Sequence, residues 1–340
     1  MRIHHYHFGK EGGLERFFTH LANALARRGV EQRAIIRPGR SWRKDIENVV
    51  TITESNFRNI SLDRYLLPLK AKRLAEREKP DALMAWGTRG SELLPAYPGC
   101  IKISRLGDYP KRLSYFRNTD VIVCLTPAMA DHVRGLGWTR RIEVIANFTS
   151  TQAVAPIARS AVNTPEGVPL VMAMGRFVKR KGFHTLIEAL ATLPDVWLWL
   201  AGEGEEGEAL QVLVRERGMT ERVRFLGWQT DTRPYVAAAD VFAMPSSHEP
   251  LGNVIFEVWA QRRPIVATRA EGPSWCIRDR ESGLLVDIGD ADGLAGAISQ
   301  VLSDEKLAAS LVEGASRTLV ERFSEEAITN TYIELFKQKP

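Results

Sequence analysis

The chain has 340 residues, 46 Lys and Arg against 41 Asp and Glu, and 44% apolar side chains. That length exceeds what one hydrophobic core usually supports, so two domains are expected. No window approaches the ~20 apolar residues of a membrane span, and the start Met1-Arg2-Ile3-His4-His5-Tyr6-His7 lacks a long apolar run, which predicts a cytoplasmic protein. Cys100, Cys124 and Cys276 are far apart and odd in number, which argues against a disulfide framework or a zinc spacing and for reduced, buried fillers.

The net charge of +5 is uneven: residues 1–150 hold 26 basic against 15 acidic side chains and the remainder 20 against 26. A basic first half is drawn to phosphates, an acidic glycan or the anionic inner face of the membrane, while solvated surface charge is the plainer explanation. Nothing in the pattern calls for nucleic acid. The segment from Arg64 to Lys79 mixes bulky apolar residues with basic ones, as interfacial helices and ordinary surface helices both do.

In chain order, an apolar run at Ile3–Phe8 precedes a helical pattern in which Leu14, Phe17, Phe18, Leu21, Ala22 and Leu25 repeat at i, i+3, i+4, i+7, closed by Gly29. Strand candidates follow at 34–36, 49–52, 82–85, 101–104, 121–125 and 143–145, enough for a six- or seven-stranded sheet. Residues 149–167 are small, polar and proline-punctuated and read as a linker. A second series of strands is expected at 169–174, 196–200, 223–226, 241–244, 264–267 and 284–286. Strands alternating with helices predict two doubly wound, Rossmann-like α/β domains, 1–148 and 168–322, facing across a ligand cleft at the carboxyl ends of their strands.

Several loops carry chemistry. Gly9-Lys10-Glu11-Gly12-Gly13, between the first strand and its helix, suits either a phosphate or a tight turn. Gly175-Arg176-Phe177-Val178-Lys179-Arg180-Lys181-Gly182 repeats the arrangement with four cations and could hold a diphosphate as a leaving group. In Pro245-Ser246-Ser247-His248-Glu249 through Glu257, two carboxylates eight residues apart bracket a turn at Gly252 and Asn253. Glu257, about one turn into a helix, could accept from vicinal ribose hydroxyls. Unaided, the pattern also fits a capping motif with an exposed helix glutamate. Gly202-Glu203-Gly204-Glu205-Glu206-Gly207 satisfies the dinucleotide G-x-G-x-x-G, but three glutamates would repel a pyrophosphate. Asp290-Ala291-Asp292 imitates a metal-binding DxD yet reads as a helix cap. His4, His5 and His7, all on one strand, are read as core or cleft residues.

The ordered set Gly12-Gly13, Gly175-Arg176, Lys181-Gly182, Phe225-Leu226-Gly227, Ala239-Asp240, Pro245-Ser246, Glu249 to Glu257 and Gly283 to Val286 resembles glycosyltransferase family 4 over nearly the whole chain. The resemblance implies the GT-B fold, with a last helix (323–340) crossing back to the first domain, and retaining transfer from a nucleotide diphosphate sugar without a cofactor or metal. It assigns Arg176 and Lys181 to the diphosphate, Glu249 to the sugar, Glu257 to the ribose and Gly227 with Trp228 to the base, for which uracil is favoured. Gly12, Gly13, Gly175, Gly252 and Asn253 join the donor site. Where family members carry a histidine after a first-domain strand, this chain reads Ser104-Arg105-Leu106-Gly107-Asp108. That segment resembles a group linked to lipopolysaccharide-core assembly, so a glycolipid or glycan acceptor is expected at Arg105, Asp108 and Arg89, with peripheral contact to an anionic membrane. The rivals are a nicotinamide-dependent oxidoreductase using the Gly202 loop, a non-catalytic sugar- or membrane-binding protein and a nucleotide-sugar epimerase.

Overall fold

The computed structural model describes residues 1–56 and 63–339, in two compact units: Met1–Thr149 together with Glu325–Pro340, and Ser150–Ser324. In the first unit the order is β1 (Arg2–His7), α1 (Gly13–Arg27), β2 (Glu31–Ile36), β3 (Thr51–Glu54), α2 (Asp63–Glu78), β4 (Ala82–Trp86), α3 (Gly87–Glu92), β5 (Ile101–Arg105), β6 (Val121–Cys124), α4 (Pro127–Gly135) and β7 (Arg141–Val144). Its strands form one parallel sheet in the order β3-β2-β1-β4-β5-β6-β7. The chain winds outward from β1, then restarts at β4 on the other side. The β1/β4 boundary is therefore the topological switch point, where the loops after β1 and β4 diverge and leave a crevice.

The central strands are buried on both faces, which is why they read as continuous apolar runs rather than alternating ones. Two of the histidines of β1, His4 and His5, are hydrogen-bonded in this interior. Trp86 Nε1 donates to His5 Nδ1 at 3.3 Å, leaving His5 Nε2 to donate to Gln32 Oε1 at 3.1 Å. His4 Nε2 meets Glu78 at 3.0 Å. Helix α1 buries Phe17, Phe18, Leu21, Ala22 and Leu25. It ends as its glycine predicts: Gly29 has φ 73° and its N–H bonds to Ala26, while Val30 N–H reaches back to Leu25.

The second unit contains β8 (Leu170–Met174), α5 (Phe183–Ala191), β9 (Trp197–Ala201), α6 (Gly207–Glu216), β10 (Val223–Gly227), α7 (Arg233–Ala238), β11 (Val241–Met244), α8 (Asn253–Ala260), β12 (Ile265–Thr268), α9 (Glu271–Cys276), β13 (Leu284–Val286), α10 (Ala291–Ser303) and α11 (Glu305–Phe323). The sheet order is β10-β9-β8-β11-β12-β13, all parallel. Here the switch point falls between β8 and β11. Of the linker read above at 149–167, residues 150–167 fold with this unit: Ile157 N–H bonds to Pro234, and the Arg159 guanidinium reaches Asp240 at 2.8 Å and the carbonyls of Val168 and Ala238. Asp290 caps α10 through Gly293 N–H at 2.8 Å, as its position before a helical pattern suggests.

The last helix, α12 (Glu325–Phe336), belongs to the first unit. It buries Ile328, Tyr332, Leu335 and Phe336 there, with Tyr332 against Phe17. No helix of the described residues is long and apolar enough to cross a membrane. In the basic amphipathic segment, α2 exposes Leu66 and Leu69 at 43% and 58% beside Lys70, Lys72 and Arg73. The side chains of Arg64 and Tyr65 at its head lie outside the described residues.

Candidate active site

The loops after β8 and β11 flank the switch point of the second unit, and their backbones are locked together. Ser247 N–H donates to the Arg180 carbonyl at 2.8 Å. Gly182 turns with φ 67°, and a methyl group on it would lie 2.0 Å from the Pro245 carbonyl oxygen. Only glycine permits both the turn and the contact. Across this junction the ammonium of Lys181 pairs with the carboxylate of Glu249, both side chains largely buried. An ammonium has three N–H donors, and one of them is used there. Arg176 lies exposed in the same basic loop.

The turn after Glu249 continues into α8. Gly252 is left-handed at φ 85°, Asn253 opens the helix and Glu257 sits just over one turn along, half-buried. The start of a helix is a favourable place for a phosphate, and Gly252 and Asn253 form the start of α8. Arg233, which the motifs did not single out, lies close enough for Glu257 to help Asp231 hold its guanidinium above the usual value, Asp231 contributing most through hydrogen bonds of 2.7 and 2.8 Å. Trp228 is 70% exposed at the end of β10, next to Gly227, its N–H 3.3 Å from the Glu203 carboxylate.

The Gly202 loop is accounted for without a cofactor. A methyl group at Gly202 would lie 2.0 Å from the Gly175 carbonyl oxygen, and one at Gly204 would lie 2.4 Å from that of Phe177. Hydrogen bonds from Phe177 N–H to Glu203 and from Glu206 N–H to Phe177 seal the two loops together. Its glycines let it pack beneath the basic loop, and the dinucleotide reading loses the observation that suggested it.

In the first unit the loops after β1, β4 and β5 meet around Leu14: a methyl group at Gly107 or Gly87 would lie 3.2 or 3.4 Å from its side chain. Arg89 is exposed on α3 and Asp108 is exposed after β5, where its carboxylate accepts Tyr109 N–H at 2.8 Å. Gly12 and Gly13 are exposed at the start of α1. The loop before them already holds an acidic group, since a methyl group at Gly9 would lie 1.6 Å from the Glu15 carboxylate. Burial raises the Glu15 pKa, and the same carboxylate is 3.9 Å from Nε2 of the buried His7.

Arg105 departs from its expected place at the acceptor. It is 1% exposed, donates to Tyr332 Oη at 3.1 Å, to the Leu106 carbonyl at 2.9 Å and to Asn147, and lies 4.4 Å over the Phe17 ring. A long charged side chain at the end of a strand looks like a ligand group in sequence. Here it fastens α12 to the sheet.

The chain thus has two parallel-sheet α/β units, with a cation–carboxylate pair at the switch point of the second. The sequence matches the Glycosyltransferase Family 4 model over residues 11–153 and the Glycosyl transferases group 1 model over 155–318. It is 62% identical over 340 residues to the lipopolysaccharide core biosynthesis glycosyltransferase LpsE of Rhizobium meliloti, covering 100% of both chains. It is 52% identical over 336 residues to LpsD of the same organism, covering 99% of this chain and 98% of that one. The chain belongs to glycosyltransferase family 4. Among solved structures, a glycosyltransferase from Rickettsia africae superposes with a TM-score of 0.87 at 18% identity, covering 99% of this chain and 97% of that one. HepE from Anabaena, solved in complex with UDP, gives 0.83 at 22%, covering 98% and 99%. At such identities these two speak for the fold.

Proposed function

We propose that the chain is a retaining hexosyltransferase that moves a sugar from a UDP-sugar to a lipopolysaccharide-core acceptor. The full-length identity of 62% to a lipopolysaccharide core biosynthesis glycosyltransferase carries this reading; the UDP bound by HepE supports the choice of base. The second unit holds the donor. Arg176 and Lys181 take the diphosphate, Glu257 the ribose, Trp228 the base and Glu249 the transferred sugar, while the N–H groups at Gly252 and Asn253 face the β-phosphate. The fixed cations stabilise the departing UDP, so the reaction needs neither a resident metal nor a cofactor in this account.

As the bond from the anomeric carbon to the phosphate oxygen breaks, the acceptor hydroxyl attacks from the same face. Its oxygen bonds to the anomeric carbon and its proton passes to the leaving phosphate. The first unit receives the acceptor, with Arg89 and Asp108 at its strand ends. Peripheral contact with the anionic cytoplasmic face of the membrane, where that acceptor would lie, is supported by the exposed Leu66, Leu69, Lys70, Lys72 and Arg73 of α2.

The test is UDP release from UDP-glucose, UDP-galactose and UDP-N-acetylglucosamine with and without extracted lipopolysaccharide core, in EDTA, with the product linkage read by NMR. Acceptor-dependent release giving an α-linkage is expected. A β-linked product, or activity abolished by EDTA and restored by a divalent ion, would refute the mechanism.

A further inference from the structure

The turn that carries Glu249 is gripped from a third strand. Helix α9 follows β12, the neighbour of β11, and its first two residues hold the Glu249 backbone on both sides. Glu271 Oε2 accepts the Glu249 N–H at 3.1 Å, and Gly272 N–H donates to the Glu249 carbonyl at 2.8 Å. The other oxygen of Glu271 meets His248 Nδ1 at 2.8 Å. Gly272 must be glycine for this approach, because a methyl group there would lie 2.2 Å from the Leu251 carbonyl oxygen. Both polar groups of the Glu249 backbone are fixed in this way, and its side chain points at Lys181.

We propose that Glu271 is a positioning residue for transfer: its carboxylate, by holding His248 and the Glu249 backbone, aims the Glu249 carboxylate at the sugar and at Lys181. This rests on the reading above that Glu249 lies against the transferred sugar. Glu271 itself touches neither donor nor acceptor. Its effect is felt in kcat, because a displacement of about 1 Å in a reacting constellation lowers the rate by about 100-fold, while Arg176 and Glu257, which take the diphosphate and the ribose in that reading, are carried by the basic loop and by α8.

The experiment compares Glu271→Ala, Glu271→Asp and Glu271→Gln with the parent, measuring kcat and KM for UDP release from the three UDP-sugars named above, and the thermal shift produced by UDP. Glutamine keeps a carbonyl oxygen for the Glu249 N–H and an amide for His248 Nδ1; alanine keeps neither, and aspartate withdraws the carboxylate by one methylene. The expected result is a kcat lowered by roughly 30- to 100-fold in the alanine variant, with KM and the UDP shift within threefold of the parent and most of the rate restored by glutamine. Aspartate should fall between them, and serves in place of alanine if that variant does not fold. Parental kcat in the alanine or aspartate variant, or a glutamine variant no better than alanine, would overturn the proposal. A parent that UDP does not stabilise would overturn the donor-site reading beneath it, and is told apart because the failure then lies in the parent.

Discussion

Lys181 and Glu249, 68 positions apart in sequence, form an ion pair across the switch point of the second unit, each largely shielded from solvent. The pair exists because the loops after β8 and β11 share hydrogen bonds and because Gly182 lets the Pro245 carbonyl come close. If Lys181 holds the departing diphosphate as proposed, Lys181→Ala is expected to lower kcat by about 100- to 1000-fold, the scale seen when one preorganised donor to a developing anion is lost. Glu249→Gln keeps the shape and should lower kcat with a smaller change in donor KM. Steady-state kinetics with a UDP-sugar check both; an unchanged kcat in Lys181→Ala would remove it from the reaction.

Gly182 and Gly29 both turn with positive φ, but only Gly182 has backbone against it. Gly29→Ala should therefore cost about 1–2 kcal/mol, the intrinsic penalty of the left-handed region. Gly182→Ala should cost clearly more and reduce UDP release as well, because the Pro245 carbonyl must retreat. Gly202→Ala, beneath the basic loop, should behave like Gly182→Ala in stability. Urea denaturation of the three variants decides this. Equal losses at Gly29 and Gly182 would mean the loop contact is slack.

Tyr332 on α12 receives a hydrogen bond from the buried Arg105 at 3.1 Å and packs on Phe17. Tyr332→Phe keeps the ring and should cost about 1–3 kcal/mol by leaving that guanidinium short of an acceptor. Deleting residues 325–340 uncovers Phe17 and Arg105 together and should lower the melting temperature by more than the point variant. A truncated chain with the parent's melting temperature would show that α12 contributes nothing to the first unit.

The histidines of β1 give stability a definite pH dependence. Burial, the largest cause in each, holds His7 down to about 3 and His4 and His5 to about 4, against ~6.5 in an unfolded chain. Between those values the unfolded state binds more protons than the folded one, so stability falls as pH drops from about 6.5 towards 4, by about 1.4 kcal/mol per pH unit for each histidine. Glu15, raised by burial, acts in the opposite sense and offsets part of this. His7→Phe keeps the aromatic contacts with Trp42 and Trp86 and should flatten the slope by one histidine's share. An unchanged slope in urea midpoints between pH 4.5 and 6.5 would mean that His7 is protonated in the fold.

Much of this architecture was legible because the physics is local. Buried parallel strands are short apolar runs, the stripe from Leu14 to Leu25 has helical spacing, and Gly29 ends it. The paired carboxylates stood out because Glu249 and Glu257 bracket a turn that only a glycine makes. What the sequence concealed depends on distant contacts. Glu271 gave no signal because its partners, His248 and the Glu249 backbone, are more than 20 positions away. Arg105 looked like an acceptor group because nothing nearby reveals that Tyr332, 227 positions on, comes back to meet it. Residues 150–167 read as a linker from composition alone, whereas Arg159 reaches across to Asp240. The Gly202 loop, set aside as a pyrophosphate site because of its three glutamates, has G-x-G-x-x-G spacing for another reason: close packing of two backbones demands glycine as strictly as a pyrophosphate does.

The central claim, that the second unit holds a uridine diphosphate through Glu257 and the basic loop, is tested most directly by thermal unfolding with UDP, GDP, ADP and NAD on the parent and on Glu257→Ala. A ligand at about 100 times its dissociation constant adds about 2.7 kcal/mol of stability. The account predicts that UDP stabilises the parent most and Glu257→Ala much less, with NAD without effect. Stabilisation by NAD alone, or by UDP equally in both proteins, would contradict it.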